Sequence, residues 1–271
     1  MVFYDIDSVE NRDPVFLARL ERAAKKPLWR YFKAQVNGLE RIPKGPCLYV
    51  GNHSSGLLTP DSYIFFGAAY EKFGLEGMPF GLAHEVVLRL PGFHQLFSKL
   101  GVIRAAKENA AKVFAAGGKI MVYPGGDVEN MRPWHDRNRI VFANRRGYIR
   151  LALEHNVPIV PVVAAGAHET FMILANFPKL AKTLRLDKIF RLKVAPLTLS
   201  IPWGLTFGVL PFYIPYPTRI LMEVLEPIHF DRSGPEAAAD EAYVKACAKE
   251  VEGKMQRTLT QLAAERERLN K

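Results

Sequence analysis

The sequence predicts an α/β fold, a single domain with a largely parallel central sheet flanked by helices. Short apolar runs alternate with helical patterns through the middle of the chain, as in parallel strands joined by crossover helices. No internal repeat or low-complexity linker divides the 271 residues, of which 49% are hydrophobic, so one sizeable core is expected.

The elements follow in order. The opening MVFYDIDSVENRD is acidic and has no apolar stretch, so no secretory signal is expected. Residues 14–34, PVFLARLERAAKKPLWRYFKA, set apolar and basic groups at helical spacing, with a break or kink expected at Pro27. Six basic residues and one acidic residue lie between Arg19 and Lys33. That pattern fits either the solvated face of an ordinary helix or an amphipathic helix lying on lipid. Residues 1–35 are therefore set apart as an amphipathic segment before an α/β domain at 36–271. Strands are expected at 47–51, 79–83, 100–103, 119–123 and 159–164, and helices near 61–73, 107–116 and 145–155. Residues 179–193, KLAKTLRLDKIFRLK, are basic and amphipathic. The following run, 194–217, has no charged residue, but its five prolines spoil a simple transmembrane helix. It reads either as a core-packing hairpin or as an apolar, aromatic segment that docks at a bilayer interface. A late strand at 219–225 and a charged amphipathic helix at 236–269 complete the pattern.

The formal net charge of +10 suggests a polyanionic partner, whether membrane, nucleic acid or phosphorylated substrate. The two cysteines, Cys47 and Cys247, are far apart, which suits a reducing compartment and forms no ligand spacing. The seven histidines are scattered without a His-Glu-x-x-His pair, so no metal is expected. A serine hydrolase would need Gly-x-Ser-x-Gly, and a nucleotide enzyme a glycine-rich phosphate loop; neither occurs.

The chemistry concentrates in CLYVGNHSSGLLTPD, residues 47–61. His53 ends a buried strand, where α/β folds place their crevices, and Asp61 follows eight positions later. Imidazole can take a proton near neutral pH, and a carboxylate can fix its tautomer. A second strand, GKIMVYPGGDVE at 118–129, ends in Gly125 and Gly126, which allow close backbone approach to an anion. Arg145, Arg146 and Arg150 follow at a helix start and could hold phosphate.

Taken in order, these blocks resemble the lysophospholipid and glycerolipid acyltransferase superfamily. The matching text is YVGNHSSGLLTPD, LGVIRAAKENA, YPGGDVE and VPIVPV, between about Val36 and Ile228. The family usually places its Asp at His-x4-Asp spacing; here Leu58 holds that position and Asp61 gives His-x7-Asp. Where the third block usually carries Glu, this chain has Gly125, with Glu129 four residues on, a form similar to the diacylglycerol-acyltransferase type 2 branch. The resemblance implies O-acyl transfer from an acyl thioester (acyl-CoA or acyl carrier protein, with no other cofactor) to a hydroxyl of a glycerolipid or lysophospholipid. It implies His53 as general base, Asp61 or Glu129 as its partner, and no covalent acyl-enzyme. Arg104, Gly125, Gly126, Arg145 and Arg146 are the implied phosphate and substrate contacts. A lipid surface is the implied partner, with no nucleic acid, and the implied location is peripheral, on the cytoplasmic face of a membrane. The alternatives are an inactive lipid-binding relative, or an acyltransferase or esterase acting on a neutral lipid alcohol.

Overall fold

The five residues of Cys47–Gly51 are buried on both sides, which marks this strand as the centre of the molecule. The computed structural model describes residues 4–83, 85–89, 93–177, 183 and 195–271. Its strands are β1 (Gln35–Asn37), β2 (Cys47–Gly51), β3 (Phe80–Ala83), β4 (Val102–Arg104), β5 (Lys119–Val122), β6 (Ile159–Ala165), β7 (Met172–Asn176), β8 (Pro196–Ser200), β9 (Gly204–Phe207) and β10 (Leu221–Val224). Its helices are α1 (Pro14–Phe32), α2 (Pro60–Phe73), α3 (Glu85–Leu88), α4 (Phe93–Leu100), α5 (Lys107–Ala115), α6 (Gly126–Asn130), α7 (Gly147–Glu154), α8 (Pro235–Ala239) and α9 (Glu241–Leu269).

Seven strands form the main sheet in the order β1-β10-β6-β2-β5-β3-β4. β6, β2, β5, β3 and β4 run parallel, while β10 pairs with β6 in the antiparallel sense and carries β1 at the edge. Alternation along β2 divides the core. Leu48 and Val50 pack with Ile149 and Leu153 of α7 and with Val251 and Met255 of α9. Cys47 and Tyr49 pack on the other face with Ile64 and Phe65 of α2 and with Phe32. The mostly parallel α/β architecture expected from the alternating pattern is thus the one found.

Within the main sheet, the three-residue edge strand β1 was not expected from the sequence; the larger differences lie outside that sheet. α1 runs unbroken through Pro27. Pro27 and Ala23, whose carbonyl loses its helical partner, are both exposed, which leaves that carbonyl on the solvent side of the helix. The C-terminal helix is divided at Asp240, whose carboxylate caps α9 by accepting from the Tyr243 amide at 3.0 Å. The charge-free run supplies β8 and β9, which join β7 in a separate three-stranded antiparallel sheet. The basic stretch 179–193 lies outside the described residues, apart from Thr183.

Beyond Gly51 the β2–β6 ladder is continued by a side chain. Asn52 donates through Nδ2 to the Ala164 carbonyl at 2.9 Å and accepts from the Ala164 amide through Oδ1 at 2.8 Å. This pair fixes the direction in which the chain leaves the strand, just before His53. Asn52→Ala leaves both groups of Ala164 buried and unpaired, a loss of about 2 kcal/mol or more. Chemical denaturation of the variant checks this.

Candidate active site

His53 lies past the C-terminal end of β2, between the ends of β5 and β6, in the crevice position of an open parallel sheet. Its backbone is held from both sides. The amide donates to Glu129 Oε2 at 3.1 Å, and the carbonyl accepts from Arg132 Nη1 at 3.1 Å. Glu129 Oε1 also accepts from the Val141 amide at 3.2 Å. Arg132 spreads its remaining donors over the carbonyls of Glu129, Asp136 and Arg137. The two side chains are almost fully buried and lie 3.8 Å apart.

The two glycines of the third block make room for this clamp. A Cβ on Gly125 would lie 2.4 Å from Glu129 Oε2 and 2.5 Å from the Val141 carbonyl oxygen. The Glu129 side chain therefore fills the space that a side chain at 125 would need. Gly126 has φ +51°, and its Cβ would strike Arg145 Nη1. Arg145 donates to the Gly125 carbonyl at 2.8 Å and pairs with Asp127, so it braces the turn from β5 into α6.

The imidazole itself is oriented by the main chain. Nδ1 lies 2.8 Å from the Ser54 carbonyl oxygen and 3.1 Å from Asn130 Nδ2. The Asn130 amide donates to the carbonyls of Ser54 at 2.9 Å and Gly56 at 2.8 Å, which places its nitrogen rather than its oxygen on this side. Nδ1 must then carry the proton and donate to Ser54, leaving the Nε2 lone pair free. Burial lowers the His53 pKa to about 4, with the Arg132 charge acting in the same direction and the Ser54 carbonyl and Asp127 against it. The ring is neutral at pH 7. Tyr123 packs beside it at a centroid distance of 5.0 Å.

Neither carboxylate expected as the partner hydrogen-bonds the ring. Glu129 is engaged with backbone amides, and burial raises its pKa to about 7. Asp61 is buried in the first turn of α2, where burial raises its pKa to about 6 against the opposing influence of Ser54. Its Oδ1 has no hydrogen-bond partner among the described residues. The three extra residues between His53 and Asp61 place the acid inside α2, while Nδ1 is engaged by Ser54 and Asn130. Arg104, expected as a phosphate contact, is instead held by Asp7: Nε and Nη2 reach the two carboxylate oxygens at 2.8 and 2.7 Å. That pairing, with Asn109, lowers the Asp7 pKa to about 2. Arg146 sits at the start of α7 with a 3.4 Å contact to Asn144. Arg150 pairs with Glu241. Asn130, Arg132 and Tyr123 were not singled out by sequence reasoning, and no spacing rule points to them because they act on backbone carbonyls or by packing.

An apolar cavity of about 210 Å³ lies beside the site, between α1, α2, α4 and the sheet. Its walls include Leu28, Trp29, Phe66, Met78 and Phe97, and it reaches Tyr123 and Ser62, whose hydroxyls lie 2.5 Å apart. The cavity therefore ends at the ring that packs on His53.

Residues 33–165 match the family described as Acyltransferase. Over 92% of this chain and 80% of the other, the fold is similar to the crystal structure of a 1-acyl-sn-glycerophosphate (LPA) acyltransferase, PlsC, from Thermotoga maritima, with TM-score 0.56 and 18% identity. Together these likenesses support a member of the glycerolipid acyltransferase superfamily. An uncharacterized protein of Mycobacterium tuberculosis is 27% identical over 83% of this chain and 60% of its own length. A mouse protein named DGAT1/2-independent enzyme synthesizing storage lipids is 29% identical over 70% of this chain and 55% of its own. The chain thus spans less than two thirds of the length of these relatives.

Two outcomes test the geometry. Arg104→Ala should cost less than about 1 kcal/mol in denaturation, because the Asp7 pair is partly exposed, and should leave both substrate Michaelis constants unchanged. Asp61 has a folded pKa above its ordinary 3.8. Its contribution to stability is complete below about pH 4 and is lost as the pH rises through about 6, a loss on the order of 2–3 kcal/mol. Denaturation of Asp61→Asn at pH 5 and pH 8 should therefore show a flatter profile and a relative gain at pH 8. Retained activity in Asp61→Asn, with a large loss in Glu129→Gln, would show that the clamp rather than an Asp–His pair positions the imidazole.

Proposed function

We propose that this acyltransferase moves a fatty acyl group from an acyl thioester, of coenzyme A or a carrier protein, to a lipid hydroxyl, with His53 as general base. The observation that carries the reading is a neutral imidazole tied through Nδ1 to a backbone carbonyl, its Nε2 lone pair free, beside an apolar cavity suited to hydrocarbon. Nε2 removes the acceptor proton as the hydroxyl oxygen bonds to the thioester carbonyl carbon. The carbonyl electron pair moves to oxygen, then returns as the C–S bond breaks, and the imidazolium protonates the leaving thiolate. The proton taken at the start is thus returned at the end. While it is held, the Ser54 carbonyl and the Asp127 charge steady the cation.

Ser55 Oγ lies 2.6 Å from the His168 carbonyl oxygen and 2.7 Å from that of Phe171, so its proton is directed away from the crevice. This supports direct transfer without an acyl-serine intermediate.

A neutral alcohol acceptor is favoured over a phosphorylated one by the occupied cations. Arg104 and Arg145 are both ion-paired. The name of the mouse relative, which refers to storage lipids, points the same way.

The test is thiol release from an acyl-CoA in the presence of a monoacylglycerol, a diacylglycerol or lysophosphatidate. His53→Ala should lower turnover by about 10²–10⁴-fold with the fold intact. Near-normal turnover would sink the mechanism, and failure of the wild type on every acceptor would favour an inactive lipid-binding relative. Because the His53 pKa is lowered to about 4, the ring stays deprotonated as the pH falls through 6.5. The acid limb of the rate profile should therefore have its midpoint well below 6.5, as pH-dependent kcat/KM will show.

A further inference from the structure

In the small sheet, β8 and β9 carry their polarity inside out, while β7 keeps the apolar Ile173 on the inner face beside Thr198. Side chains alternate across a strand, and a sheet packed on a core normally turns its apolar residues inward. In β8 and β9 the buried row pairs Thr198 with Thr206, and Thr198 Oγ1 lies 2.8 Å from the Gly208 carbonyl oxygen. The outward row pairs Leu199 with Leu205 and Leu197 with Phe207, and Met172 of β7 extends it beside Leu199. Leu205 and Phe207 are 62% and 66% exposed. The register is fixed by the ladder, so this face cannot be an accident of one side chain's rotation.

The following loop continues the same surface. Phe212 is 88% exposed and stands at φ +60°, a backbone conformation that bulky residues avoid. Strain and exposed aromatic area at one residue are two costs with no return inside the folded chain. The polar tips of the neighbouring aromatic residues are already satisfied internally. Trp203 Nε1 donates to the Pro211 carbonyl at 2.8 Å, and Tyr31 Oη donates to the Pro215 carbonyl at 2.6 Å. Tyr213 Oη accepts the amides of Leu57 at 2.9 Å and Leu58 at 2.8 Å. What remains outward is hydrocarbon, continuous with exposed Leu57 and Leu58 of the loop that follows His53.

We propose that the outer face of β7-β8-β9, together with loop 208–217, is a docking surface for an anionic lipid bilayer that brings the His53 loop against the membrane. The choice of a bilayer over a second protein copy rests on chemistry. Residues 194–217 contain no charge, whereas a protein interface surrounds its apolar centre with a polar rim and hydrogen bonds. Charge complementarity comes from α1, whose end meets this loop at Tyr31. Arg19, Arg22, Lys26, Arg30 and Lys33 recur every three or four residues along its exposed side, and none has an ion-pair partner among the described residues. Among the described residues no helix is long and apolar enough to cross a membrane, so the contact is peripheral. The proposal rests on the acyl-transfer reading only in taking the substrates to be lipids.

The experiment uses the full chain without substrates and measures sedimentation with phosphatidylcholine vesicles with and without phosphatidylglycerol. Expected is binding to the anionic vesicles at low salt, with a residue that survives high salt. Leu205→Ser/Phe207→Ser/Phe212→Ser should lower the salt-resistant part by at least about 100-fold. Arg22→Gln/Lys26→Gln/Arg30→Gln should remove the salt-sensitive part. As a check that needs no loss of binding, Phe212→Cys carrying a polarity-sensitive fluorophore should shift to the blue when vesicles are added. A wild type that ignores anionic vesicles, or a fluorophore that stays in water while the protein sediments, overturns the proposal. So does a wild-type dimer that the triple serine variant converts to monomer without any vesicle binding, which would assign the face to a second copy. Because binding is read apart from turnover, an inactive chain that still docks would refute the acyl-transfer reading alone.

Discussion

Burying a carboxyl and a guanidinium costs several kcal/mol per ion unless each finds partners, and the Glu129–Arg132 pair behind β2 finds them in the main chain. Glu129 accepts two amides and Arg132 donates to four carbonyls, among them both hydrogen-bonding groups of His53. Burial still raises the Glu129 pKa and lowers that of Arg132, so the pair is not there for its Coulomb energy. Its effect is positional. A residue just past a strand has lost its ladder partners and would otherwise be the loosest point of the turn. Here its amide and carbonyl are pinned from opposite sides, and Asn52 pins the residue before it. The Gly125-Gly126 turn is the steric condition for all of this, since a side chain at 125 would displace the Glu129 carboxyl.

In the proposed mechanism, that arrangement lets the imidazole act as a base without a carboxylate on Nδ1. A carboxylate partner would raise the ring's pKa and hold it as a cation; a carbonyl partner fixes the same tautomer without adding a full charge. Desolvation then keeps the ring neutral, at the expense of basicity. Such a base is weak in the ground state and depends on the negative charge near it once the proton arrives. Asp127 supplies that charge while also pairing with Arg145, which links the third sequence block electrostatically to the first.

Much of the main sheet was legible in the sequence because its signal is local. β2, β5 and β6 are short apolar runs bounded by glycine and proline, and two-sided burial is what such runs report. The position of His53 was legible for the same reason. Its partners were not. Asn130 and Arg132 act through carbonyl oxygens, which every residue possesses, so no residue type or spacing marks the acceptor. Asp61 was read as a partner on proximity along the chain, but the longer loop puts it inside α2. Arg104 looked free because its counter-ion, Asp7, is contributed by the N-terminal segment, far away in sequence. The run 194–217 was ambiguous for a further reason. Alternating Leu and Thr specify a strand with two unlike faces, and only the pairing register decides which face looks outward.

The site and the apolar surfaces also explain one another's placement. The cavity between α1, α2 and the sheet ends at Tyr123, whose hydroxyl is held by Ser62 in the same first turn of α2 that contains Asp61. On the other flank of the His53 loop, Tyr213 fastens Leu57 and Leu58 to the loop below β9. The residues after His53 are therefore suspended between a buried apolar chamber and an exposed apolar face. Both attachments are made by tyrosine hydroxyls, which let an aromatic ring pack among hydrocarbon while its oxygen meets a polar group. On the acyl-transfer proposal, a hydrophobic acyl chain and a lipid alcohol would approach His53 from these two sides with little exposure of either to water. On the proposed mechanism, that approach would favour transfer to an alcohol over loss of the acyl group to hydrolysis.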